Sequence, residues 1–366
     1  MRRAYRGSNI VLFIGVFLSI LLASVMAIDL SYYYAAQNEM QTAADAAALA
    51  ATQRLFENKE PASNFSARED DVRQVASDLN GSNLPGSTLE TEDVELGFID
   101  PATMAYDPSN FSDPNTSSDY DLTGGYNAVR VIVKRTEDSN GPLPTIMANL
   151  LGIPSMDAVA NSTAIMNQNI ASINDGGLRP VYACEAQVNQ AFADGNPSNN
   201  VARIYGQQFY LDGATAISGC PTPGSGNWGF ADFTECTQGA IGNSTMTDWF
   251  TNGYPGVVNA GQCYSTQPGN ALSSNGVETA LDNLIANQTV IALPVISTFN
   301  GNGSNTSVMV NSFTGFVITG YDAQAPADSR YIEGYFTRMV CTTGCTNGSN
   351  APSAGAITLR LAPRDN

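Results

Sequence analysis

The sequence predicts an α+β chain. A long N-terminal helix crosses a membrane and continues as a stem, and a mainly antiparallel, sandwich-like ectodomain with cysteine-rich loops follows. Three observations carry this reading. An uncharged run of 22 residues, Gly7 to Ile28, lies near the start. From Ile10 to Phe56 there is no proline, and the only glycine is Gly15. Further along, β-branched and aromatic segments of strand length alternate with turn-rich stretches.

As a helix, Gly7 to Ile28 would extend about 33 Å, the thickness of a hydrocarbon core. Arg2, Arg3 and Arg6 precede it and Asp29 follows. The basic flank belongs in the cytoplasm, which sets a single pass through the cytoplasmic membrane with everything after Asp29 outside. Tyr32, Tyr33 and Tyr34 fall where amphipathic rings favour the headgroup zone. A cleavable signal ending at Val25-Met26-Ala27 competes, but the apolar run is long and unbroken by Pro or late Gly. A prepilin leader cut after Gly7 would place glutamate where the chain has Leu12, so the whole N-terminus is expected to be retained.

After Asp29 the good helix formers Ala, Leu, Gln and Met dominate, so one helix of about 47 residues, roughly 70 Å, is the simplest reading. Leu30, Tyr33, Gln37, Met40, Ala44, Ala47, Ala51 and Leu55 repeat at three- and four-residue spacing and make a narrow seam. Small side chains there would let another helix approach closely, with Gln41, Ala44, Asp45, Ala47, Ala48 and Ala51 as the contact residues. Alternatively, alanine serves helix propensity alone and the stem packs on its own domain. Asp45 reads as a solvated or capping acid.

Composition removes several functions. The net charge is −18, and Lys59 and Lys134 are the only lysines, so binding driven by neutralising phosphates is excluded as a main role. Histidine is absent, which takes away the commonest general base and most zinc and iron sites. No cofactor is implied. Six cysteines, Cys184, Cys220, Cys236, Cys263, Cys341 and Cys345, lie in the second half. In an extracytoplasmic chain they are disulfide candidates, with fifteen pairings open and free buried thiols as the alternative. Cys341 and Cys345 are the easiest to join, since Gly344 permits a tight turn.

The start "RRAYRGSNIVLFIG" and the later "AIDLSYYYAAQNEMQTAADAAALAATQRL" resemble the N-terminal region of the TadE/TadG-like proteins of tight-adherence (Flp) pili. The specific part is Gln41 to Ala50. The likeness continues more weakly through Asp93 to Tyr106, Asn127 to Arg135, Met147 to Ala164 and Thr289 to Ser297. Larger members carry a von Willebrand type A domain with an Asp-x-Ser-x-Ser motif, which is absent from this sequence. The resemblance implies a pilus-assembly or envelope-anchored role, with no catalytic residues to carry across and other pilus or envelope proteins as partners through the N-terminal helix; close helix approach along the seam would also allow an oligomer. A membrane-tethered adhesin that binds a glycan or surface protein through the cysteine-rich half is the alternative. A hydrolase using carboxylates alone is disfavoured, since no compact acid pair is visible.

Three regions follow: 1–56, the cytoplasmic stub, span and stem; 57–170, an α/β region; and 171–366, β-rich and cysteine-containing, which is either separate or continuous with the second. Val72, Val75, Ala76 and Leu79 mark a helix with Gly81 as its stop. "DVELGFI", "AVRVIVKR" and "DAVANSTAIM" read as strands, with Val129, Val131 and Val133 sharing one face. "LPTIMANLLG" reads as a short helix ended by Gly152. "GCPTPGSGNWGFADFTEC" and "DWFTNGYPGVVNAGQCY" read as pinned loops, and "TVIALPVIST", "SFTGFVITGY", "RYIEGYFTRMV" and "GAITLRL" as strands.

Other sites are weaker. Asp113, Asn115, Ser117, Asp119 and Asp121 alternate as in calcium loops, but Ser118 and Gly124 stand where an EF-hand needs Gly and Glu. A solvated acidic loop is the default. Ten Asn-x-Ser/Thr sequons are expected by composition alone. "NGNGSNTS", Asn300 to Ser307, reads as a hairpin connection, and Trp228 with Trp249 as either core or a binding face.

Overall fold

The computed structural model describes residues 6–57, 65–99, 106–107, 126–167, 169–174, 176–193, 200–205, 208–212, 216–221, 227–236, 241–268, 272–301, 306–325, 330–341, 344–348 and 354–363. The calcium-like stretch Asp113, Asn115, Asp119 and Asp121 lies outside them, as does the Trp228 side chain.

Helix α1 runs from Arg6 to Glu57, 52 residues, or about 78 Å of rod. Its two halves live in different surroundings. From Ile10 to Ile28 the large apolar side chains are 46% to 71% exposed, while Ala43, Ala44, Ala47, Ala48, Ala51, Leu55 and Phe56 are fully buried. Leu30, included in the seam from spacing, is 51% exposed although its neighbour Asp29 is buried against the head; the apolar packing of the seam starts at Tyr33 and Ala36. Helix α2, Phe65–Asn83, packs alongside through Val72 and Ala76. It passes through Gly81, contrary to the stop expected there, and Pro85 supplies the barrier instead.

The stem lies on a six-stranded sheet ordered Met339–Cys341, Ala356–Leu361, Ala158–Asn167, Ala128–Arg135, Val94–Ile99, Tyr106–Asp107. All neighbours are antiparallel except the first pair. Period-two alternation turns Val129, Val131 and Val133 toward the stem, as their spacing predicted. The C-terminal strand Ala356–Leu361 joins this sheet from the far end of the sequence. Arg338 also reaches back from that half, donating to the Phe56 carbonyl at 3.0 Å with its guanidinium over the Phe56 ring.

A second sheet is centred on the 16-residue strand Ser307–Asp322, flanked by Val290–Asn300, Tyr331–Thr337 and Cys263–Pro268. Asn300 pairs with Ser307, so the "NGNGSNTS" connection is a hairpin as expected. The stretches read as pinned loops hold more structure than predicted: a strand at Asn227–Glu235 and a helix at Asn243–Asn252. Turn-forming Gly and Asn masked both. Trp249 is 7% exposed, with its ring 4.8 Å from that of Tyr254, so it is a core residue. The cysteines pair as Cys184–Cys220, Cys236–Cys263 and Cys341–Cys345. The third bridge joins the end of the first sheet to a small sheet formed by Val258–Asn259, Ile170–Ile173 and Cys345–Asn347.

One ion pair locks the stem's sheet to the turn that starts it. Lys134 Nζ stands 2.5 Å from an oxygen of Asp93, whose side chain is 1% exposed. Hydrogen bonding to Asp93 raises the lysine's pKa, burial opposing. The pair therefore contributes fully below the ordinary lysine range and is lost as pH rises through the raised value. Lys134→Met leaves a buried carboxylate without its cation. It is expected to cost about 2 kcal/mol in denaturant unfolding at neutral pH, and a change within experimental error would contradict the pairing.

Candidate functional site: the stem, its glutamine edge and the Asp29 clasp

The stem meets the sheet through small groups on both sides. Ala44, Ala47, Ala48 and Ala51 of the helix share one core with Ala158, Ala160 and Ala164 of the strand. Methyl-to-methyl packing lets a helix axis approach a sheet more closely than leucine would. Thr52 continues the contact, donating to the Ala48 carbonyl at 2.8 Å and reaching the Ala164 carbonyl at 3.4 Å.

Beside this seam two glutamines finish an open edge. Over Ala158–Thr163 the strand pairs on one side with Ala128–Arg135, and on the other side its carbonyls face outward. Gln37 Nε2 donates to the Val159 carbonyl at 3.3 Å and Gln41 Nε2 to the Asn161 carbonyl at 2.8 Å. The Ala362 N–H takes the Thr163 carbonyl at 2.8 Å. The spacing is geometric: four helical residues rise about 6 Å and two strand residues about 6.6 Å, so successive helical turns meet alternate carbonyls. An edge that would otherwise template another strand is closed. Gln41 Nε2 also donates to Asp45 Oδ1 at 2.8 Å, which fixes the amide's orientation. Asp45 is thus half-buried and holds Gln41 in place, where the sequence reading had it solvated or capping.

The six residues expected to receive a foreign helix accordingly lie against this chain's own sheet and α2. Ala44, Ala47, Ala48 and Ala51 have no exposed surface, and Gln41 and Asp45 sit at the rim.

At the membrane end of the stem is a feature the sequence reading missed. Asp29, 4% exposed, accepts hydrogen bonds from the backbone N–H of Ile146 at 2.8 Å, Met147 at 3.0 Å and Ala148 at 2.5 Å. These open a one-turn 3-10 helix, Ala148–Leu151, whose end at Gly152 has φ 85°. A carboxylate there satisfies N–H groups that the turn itself cannot. The expected helix over Leu143 to Gly152 is therefore a two-residue strand, Leu143–Pro144, followed by this turn, because Pro144 and Gly152 leave no room for more. The signal available beforehand was an acid directly after the apolar run and, far away, the uncharged stretch Leu143–Met156.

In the second sheet Asp232 is fully buried, and burial raises its pKa against the opposing hydrogen bond from Thr234. Among the described residues no three Cys, Asp or Glu side chains gather as a metal site.

An exposed apolar rod continues into a stem that seats on its own sheet, so one long helix carries a β-rich head. Two family comparisons make this particular. Residues 7–54 match the family described as "Putative Flp pilus-assembly TadE/G-like", and residues 34–164 match "Putative Tad-like Flp pilus-assembly". The two matches together span residues 7–164, and the TadE/G-like one bears out the resemblance read from Gln41 to Ala50. Comparison with curated proteins and with solved structures gives no match.

Proposed function

We propose that this protein is a non-enzymatic, single-span envelope component of a tight-adherence pilus. Its N-terminus lies in the cytoplasm, Gly7 to Ile28 in the cytoplasmic membrane and the head outside. The observation carrying the reading is the TadE/G-like match over a segment that joins an uncharged 22-residue run directly to a stem. Partner contact falls to the bare part of α1. The alanine seam could receive a foreign helix only by leaving its own sheet, which would open the Gln37 and Gln41 edge. The span and the exposed flank at Tyr32 and Tyr34 carry no such penalty. The adhesin alternative loses Trp249, which is committed to the core.

Photo-crosslinking residues placed at Phe13, Leu18 and Tyr34, in cells expressing a complete pilus locus, are expected to yield adducts with pilus components. The same probe at Ala47 should yield none. Adducts absent from all four positions, together with normal pilus formation when the chain is deleted, would reject the proposal.

A further inference from the structure

Among the described residues beyond Tyr34, the three most exposed large apolar side chains are Ile146 at 56%, Leu151 at 56% and Ile153 at 51%. All belong to one loop, Leu143–Met156, which holds no charged residue. Isolated apolar side chains on a surface are ordinary, but three in one uncharged loop need an occupant.

The clasp says where that loop stands. Asp29 directly follows the 22-residue run, and the N–H groups of Ile146, Met147 and Ala148 lie within 3.1 Å of its carboxylate. The loop is thereby held at the level where the helix leaves the hydrocarbon. Its backbone is also prepared for a poorly hydrated setting. Thr145 N–H donates to the Pro154 carbonyl at 3.0 Å, Gly152 N–H to Asn149 at 3.1 Å and Ile153 N–H to Ala148 at 3.1 Å. The Thr145 hydroxyl donates to the Ile153 carbonyl. With Asp29 taking three more N–H groups, the loop offers its side chains outward and few free polar groups.

We infer that the Leu143–Met156 loop is a second membrane contact, with Ile146, Leu151 and Ile153 entering the lipid bilayer that holds α1. Apolar faces of this size settle roughly 5–10 Å into the headgroup–acyl boundary. Asp29 then links the two footings and fixes the angle at which the head leaves the membrane. The inference rests on Gly7 to Ile28 being the span, and its test checks both.

The full chain, with its three disulfides verified, is reconstituted in phosphatidylcholine–phosphatidylglycerol vesicles. Leu18→Cys, Leu151→Cys, Ile153→Cys and Gln53→Cys variants each carry one environment-sensitive fluorophore. Residue 53 lies about 36 Å along the helix from Asp29 and serves as the distant control. Lipid brominated in the upper acyl chain should quench positions 18, 151 and 153 by roughly twofold or more and leave 53 unchanged. Quenching at 18 but not at 151 or 153 overturns the inference and leaves the span intact. No quenching anywhere overturns both. Energy transfer between differently labelled copies at 151, in place of lipid quenching, would assign the face to a second copy and also overturn it.

Discussion

Ala47→Leu is expected to unseat the stem and lower the stability of the head by about 3 kcal/mol. Ala47 is fully buried among Ala44, Ala48 and Ala51, and the strand it faces presents Ala158, Ala160 and Ala164. Leucine adds three carbon atoms where both surfaces are already methyl groups, so the helix must move outward. That movement also stretches the Gln37 and Gln41 hydrogen bonds to Val159 and Asn161, which exposes the sheet edge. Ala35→Leu, on the exposed side of the same helix, should stay within about 0.5 kcal/mol. Denaturant unfolding in detergent, with protease cleavage near Phe56 as a second readout, separates the two. If Ala47→Leu behaved like Ala35→Leu, the seam would be free in the folded protein and its role as a docking face for another chain would return.

The parts of this architecture visible in the sequence are those governed by local pattern. The uncharged run, the proline-free stem and the valine alternation at Val129, Val131 and Val133 each express one period, which packing then reinforces. The seam itself was legible, but the identity of its partner was not. A stripe of alanines says that something approaches closely and leaves open whether that is a foreign helix or residues 158–164 of the same chain. Gln41 and Asp45 stood in the specific segment, yet their meaning depends on an edge carbonyl 120 residues away. Asp29 was noted for its charge and its place at the outer end of the apolar run, but not for its contacts, because its partners are backbone N–H groups, which no side-chain pattern announces. The same reasoning explains the strand at Asn227–Glu235 and the helix at Asn243–Asn252, where burial against Phe230, Trp249 and Phe250 overrode turn-rich local sequence.

Removing the Cys184–Cys220 bridge by paired alanine substitution is expected to cost about 4 kcal/mol, the largest effect among the three disulfides. The bond closes a loop of separation 36, and the chain entropy withheld from the unfolded state grows with loop length. The Cys341–Cys345 bridge, separation 4, should contribute about 2 kcal/mol by the same argument. Position strengthens the first estimate: Cys184 is fully buried, and it ends a short strand paired with Val290–Asn300 just where helix Glu185–Phe192 begins. Losing the bridge therefore loosens a strand, a helix and the chain around Cys220 together. Unfolding of the paired Cys→Ala variants, measured without reductant, checks the order, and equal costs for the two bridges would defeat the loop-length account. The thiol state bears on topology as well. Disulfides of this kind persist outside the reducing cytoplasm, so protein isolated from cells under alkylating conditions should show no free thiol at Cys184 or Cys220. Labelling of both would mean that the head had stayed on the cytoplasmic side, reversing the orientation assigned from Arg2, Arg3 and Arg6.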